Sequence, residues 1–102
     1  MHLIQILLPL YDNHGRPFPR RLYRDVRNEL LARFEGLTAF TQAPATGLWK
    51  EEGEQAVHDE LVIYEVMAWQ LDRDWWQQYR AMLEKRFAQD ELVVRLLPIE
   101  RL

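Results

Sequence analysis

Two periods run through the apolar positions of this chain, and together they mark out its elements. The segment Glu60–Leu71 is apolar almost throughout, with Val62, Tyr64 and Val66 on one side and Leu61, Ile63 and Met67 on the other. One acid, Glu65, interrupts the second side. A strand apolar on both faces has to be covered on both, so this segment is expected at the centre of a sheet. Residues 2–10 alternate in the same way, with Ile4, Ile6 and Leu8 opposite Leu3, Gln5 and Leu7, and Pro9 at the end where its missing N–H does least harm. Leu92–Leu97 gives a last strand, with Leu92, Val94 and Leu96 opposite Val93, Arg95 and Leu97, and Pro98 weakening its tail. Leu37–Trp49 reads as an extended segment in which Pro44 argues for an edge strand or a bulge. Glu51-Glu52-Gly53-Glu54 is its turn back toward the central strand.

Helical spacing appears twice. In Arg20–Phe34, Leu22, Val26, Leu30 and Phe34 recur every fourth residue, and Tyr23 and Leu31 widen the stripe. Four arginines, Asp25 and Glu29 fall on the wet side, and Gly36 stands where a left-handed cap wants glycine. The second helix spans about Arg73 to Ala88, with Asp72 as N-cap and Asp74 in the first turn. Its stripe is Trp75, Tyr79, Met82, Leu83 and Phe87, flanked by Trp76. Tyr11–Pro19 is a loop turning at Asp12-Asn13-His14-Gly15.

The resulting order is β-α-β-β-α-β, the split pattern of an α+β, ferredoxin-like fold. It predicts a four-stranded antiparallel sheet in the order 4-1-3-2, with two helices on one face, as a single domain over residues 1–102. The other face then carries Leu3, Leu7, Leu61, Ile63, Met67, Val93 and Leu97. Monomers seldom leave more than roughly 300–600 Å² of contiguous apolar surface wet. A second copy laid sheet to sheet, in the manner of a dimeric α/β-barrel, is the simplest cover.

Composition narrows the functional classes. A net charge of −3 gives no general attraction to nucleic acid or to anionic membranes. The absence of cysteine rules out disulfides, thiolate nucleophiles and zinc-finger-type sites, and no cofactor motif is present. The apolar run Leu3–Leu10 is short, broken by Gln5 and Pro9, and preceded by no basic region. Neither a signal peptide nor a membrane span is expected, and a cytoplasmic location is the default.

Each of three strands places one polar residue in the middle of the open face: Gln5, Glu65 and Arg95. Glu65 and Arg95 would lie about 10 Å apart by backbone, with Gln5 between them. One reading is a small polar pocket between subunits, holding a polar ligand or moving a proton. The other is a buried charge pair that fixes the register of the dimer. His58 is the histidine nearest this face, whereas His2 and His14 sit at the terminus and in a loop, and no metal-ligand spacing is present. Trp69, Trp75 and Trp76, with Trp49 on the hairpin, form a candidate aromatic cluster for stacking a planar ligand or for filling the core. Arg16, Arg20 and Arg73 fall near the helix N-termini and could attract an anion or remain solvated.

Gly47-Leu48-Trp49 followed by Gly53, the stretch from Tyr79 through Lys85-Arg86-Phe87-Ala88-Gln89, and Glu91-Leu92-Val93-Val94-Arg95 carry a further signal. Over roughly residues 36–97 the chain resembles a family of short proteins known only as a domain of unknown function, with Arg-Phe-x-Gln as the most specific element. The resemblance implies a ferredoxin-like sheet and helices, and it implies no activity. The functional expectation is a homodimeric binding or assembly module, with room for a small polar ligand between the copies. The alternative is a cofactor-independent enzyme of isomerase or monooxygenase type, using Glu65, Arg95, Gln5 and His58.

Overall fold

A computed structural model describes the backbone of residues 1–50 and 56–102, and the side chains of residues 1–38 and 61–102. The elements follow the expected order: β1 (His2–Pro9), α1 (Arg20–Arg33), β2 (Thr38–Lys50), β3 (Ala56–Ala68), α2 (Arg73–Arg86) and β4 (Val94–Pro98). The strands form one sheet in the order β2-β3-β1-β4, antiparallel at every described pairing. The expected turn at Glu51–Glu54 lies outside the described residues.

The even-numbered residues of β1 and β3 build the core. Ile4, Ile6, Leu8, Val62, Tyr64 and Val66 are buried against Val26 and Leu30 of α1 and Trp76, Tyr79 and Leu83 of α2. Both helices therefore lie on one face. Each such aliphatic side chain contributes about 1.5–3 kcal/mol by leaving water. Tyr23 adds a polar tie from α1 to the end of β1, its hydroxyl donating to the carbonyl of Pro9 at 2.5 Å. Burial pushes that phenol up to about 12.

Between Phe40 and Ala45 the β2–β3 register shifts, so that five steps along β2 match two along β3, from Ile63 to Leu61. Pro44 lies inside that irregularity, on an edge strand, where a missing N–H is tolerated. Beyond Leu61 the β2–β3 hairpin continues without β1 beside it, as far as the pairing of Lys50 with Ala56.

Several expectations need correction. Gly36 is not a left-handed cap: α1 stops at Phe34, whose backbone turns extended (φ −118°, ψ 152°) as its ring packs on Trp75 and Trp76. The glycine described with positive φ is Gly15, at 76°, in the Asp12 turn. Strand β4 starts at Val94 rather than Leu92 because the Leu92 N–H is taken by the Glu84 carboxylate, 2.9 Å away. Leu31 and Met82 are exposed at 53% and 40%, so the buried stripes are narrower than the periodicity suggests. Trp76, expected to flank the α2 stripe, is its buried tryptophan, and Trp75 is half-buried. Helix α2 ends at Arg86, short of the expected Ala88.

Candidate functional site: a polar row on the open sheet face

Register alone brings the three polar residues together. Gln5 pairs with Glu65 on one side and with Arg95 on the other, so the three side chains share one face in one row. Gln5 Nε2 donates to Glu65 Oε1 at 2.6 Å, and Arg95 Nε donates to Gln5 Oε1 at 2.7 Å. The amide thus uses its donor toward the acid and its acceptor toward the base, which also fixes its orientation. Arg95 and Glu65 do not touch each other. Thr38 of β2 continues the row past Glu65 and is exposed.

Around the row the face is apolar and incompletely covered. Leu3, Leu7, Leu61 and Ile63 are half-buried, while Met67, Val93 and Leu97 are exposed at 45%, 49% and 47%. His58 is not beside the row by backbone. It pairs with Leu48 on the hairpin extension, seven residues along β3 from Glu65, a span on the order of 23 Å at 3.3 Å per residue. Its side chain, like that of Trp49, lies outside the described part.

The expected tryptophan cluster divides. Trp75 and Trp76 do pack together, with ring centroids 4.8 Å apart. Trp75 stacks on Tyr79 and receives the Arg33 guanidinium 4.3 Å from its ring centre, so its partners come from the chain itself. Trp69 stands apart, 74% exposed, beside a broad depression shared with Met1, Met67 and Arg101. Of the three arginines near the helix starts, Arg16 pairs with Asp12 at 3.5 Å. Arg73 borders a cleft of about 130 Å³ between α2 and β4, with Gln77, Arg80 and Arg95 on its rim and Ile4 and Trp76 below.

One network escaped the periodicity. Glu29, read from the sequence as a wet-side residue, is half-buried and binds Arg86 through both oxygens at 2.7 Å, while accepting the Tyr79 hydroxyl at 2.9 Å. The Arg86 bond holds its carboxyl below the usual range against the opposing effect of burial. Its position one residue before Leu30, at the border of the buried stripe, was the available signal.

Among the described residues no group of three or more histidines, cysteines or acids could hold a metal ion, and no helix is long and apolar enough to cross a membrane. No family model matches the chain, in keeping with the expectation of an uncharacterised family and naming no particular one. No curated protein matches it either. Solved structures do. A phage SAM lyase in complex with S-methyl-5'-thioadenosine is similar at a TM-score of 0.61 with 14% identity, over 94% of this chain and 79% of that one. The same phage SAM lyase in its apo state gives 0.60 and 13%, over 94% and 78%. CutA1 from Pyrococcus horikoshii gives 0.58 and 12%, over 100% of this chain and 86% of that one. At such identities the likeness is one of fold: two helices on an antiparallel sheet in an α+β arrangement.

Proposed function

We propose that this single-domain, cytoplasmic protein is a self-assembling binding module whose open sheet face is covered by a second copy of the chain. The observation that carries the reading is the face itself. Met67, Val93 and Leu97 stand exposed beside half-buried Leu3, Leu7 and Ile63, around one row of hydrogen-bonded polar groups. Taking on the order of 400 Å² of such surface out of water contributes roughly 10 kcal/mol before association costs are subtracted. The row gives that interface its polar specificity and is where a small polar molecule, if one is enclosed, would be held. Sedimentation velocity at micromolar concentration tests the reading. The expected species is at least a dimer, and a clean monomer overturns it. Native mass spectrometry of the same sample reports any small molecule retained with the assembly.

A further inference from the structure

The polar row has a direction. Its positive end is Arg95 on β4, its negative end is Glu65 on β3, and Gln5 on β1 is the midpoint, since β1 lies between the other two strands. Their backbones lie two strand spacings apart, about 10 Å. Within the chain the amide of Gln5 is their intermediary, through the 2.7 Å and 2.6 Å bonds, and no ion pair among the described residues joins either of them to an opposite charge. While the face is wet, water completes their shells. Once the face is covered, each charge keeps only a neutral amide beside it, and a covered charge without a countercharge is costly.

Symmetry restricts where that countercharge can come from. Two stacked sheets with aligned strands are related by a two-fold axis lying between them, and a two-fold interface sets the same patch against itself. If the axis runs along the row, across the strands, every residue of the row faces its own copy, and like charges meet. If the axis runs along β1 through Gln5, the row is reversed in the second copy, and opposite charges meet. Resting on the assembly reading above, we infer that the axis runs along β1 through Gln5, so that Arg95 of each copy faces Glu65 of the partner subunit. The four charges then form a closed, neutral set around the two central amides.

The arrangement fixes the apolar contacts as well. Leu3 pairs with Met67 on one side and with Leu97 on the other, so these three make a second row, two residues along from the polar one. Reversal of that row sets Met67 against Leu97 of the partner subunit. An axis along the polar row would instead carry Met67 toward Ile63 of the partner subunit, on the far side of Glu65.

Cross-linking distinguishes the two. The chain has no cysteine, and Met67 and Leu97 are exposed at 45% and 47%, so Met67→Cys and Leu97→Cys add single thiols without touching the polar row. The two variants are mixed, allowed to exchange subunits and treated with a short bismaleimide. A covalent species of twice the chain mass is expected from the mixture, with loss of that species when either variant is treated alone. Self-linking by Met67→Cys alone, or no link in the mixture, overturns the arrangement. A parent protein that sediments as a monomer overturns the assembly reading itself, so the two failures are told apart. A second arm uses charge: Glu65→Arg and Arg95→Glu should each dissociate at concentrations where the parent is assembled, and an equal mixture should reassociate. Full association of either variant alone removes the row from the interface and overturns the inference.

Discussion

Glu29 of α1 holds Arg86 of α2 through both carboxylate oxygens at 2.7 Å, and the same carboxylate accepts the hydroxyl of Tyr79 at 2.9 Å. This fork is a polar fastening between the two helices, and it has a pH signature. The Arg86 hydrogen bond is the leading cause that depresses the Glu29 carboxyl, with Tyr79 assisting and burial opposing. A depressed acid contributes stability that is present above its unfolded pKa and is lost as pH falls through the folded one. Denaturant stability should therefore decline below about pH 4.5 more steeply in the parent than in Glu29→Gln. Parallel acid profiles for the two proteins would mean that the fork adds nothing to stability.

Removing the base instead leaves the half-buried acid without its countercharge, held by the Tyr79 hydroxyl. The Arg86 and Glu29 side chains are 18% and 36% exposed, between the wet and dry extremes. Arg86→Met is expected to cost about 1–2 kcal/mol, above an exposed pair and below a buried one. Urea melts at pH 7 check this, and a cost near zero would place the pair among ordinary surface contacts.

Ala88 sits at φ 50°, in the left-handed region, immediately after the cap of α2. Two hydrogen bonds put it there: its own N–H reaches the carbonyl of Lys85 at 3.2 Å, and the N–H of Gln89 reaches that of Glu84 at 2.8 Å. This is the paired closure that helices often end with, usually on glycine. An L side chain in that conformation costs about 1–2 kcal/mol. Ala88→Gly should recover about 1 kcal/mol of it and raise the melting temperature by roughly 4–8 °C. No rise, or a fall, would show that the Ala88 methyl contributes packing that outweighs the strain.

The Arg86-Phe87-Ala88-Gln89 element now has a physical content that its letters did not disclose. Arg86 fastens the helices, Phe87 is fully buried, Ala88 turns the chain and Gln89 closes the turn. What the sequence made legible was the part governed by period: which face of β1 and β3 is core, the strand order, and the alignment of Gln5, Glu65 and Arg95. Side-chain capture was not legible. Nothing in the spacing tells that the Glu84 carboxylate takes the Leu92 N–H and delays β4, or that the Phe34 ring ends α1 two residues before Gly36. Burial at the margins of a stripe was equally hidden, because Leu31 and Met82 fit the helical period and still face water.

Met67 offers a direct probe of the open face, being exposed on β3 in the row next to Leu3 and Leu97. Met67→Glu places a charge where the isolated chain already meets solvent, so its melting temperature at low concentration should change little. Surface substitutions of that kind usually stay within about 0.5 kcal/mol. Association should nevertheless weaken sharply, seen as a shift toward the monomer in sedimentation. Unchanged assembly would mean that copies meet through another surface.

Gln5 is the link between two charges that do not meet, and this makes their coupling conditional. Arg95 bonds to its carbonyl oxygen and Glu65 to its amide nitrogen, so polarising one end of the amide strengthens the bond at the other. A double-mutant cycle with Arg95→Met and Glu65→Leu should therefore show non-additive stabilities in the parent, by on the order of 0.5–1 kcal/mol in dilute solution. The same cycle in a Gln5→Leu background should be additive at low concentration, because two side chains on strands about 10 Å apart by backbone, with solvent around them and no amide between, keep little direct attraction. Raising the protein concentration until copies associate restores a path that does not pass through Gln5, from Arg95 of one copy to Glu65 of the partner subunit. Coupling that reappears on association in the Gln5→Leu background would be intermolecular, whereas coupling that stays absent there would confine the pair to a single chain. Coupling already present in dilute Gln5→Leu would show that the two charges sense each other without the amide, contrary to the prediction.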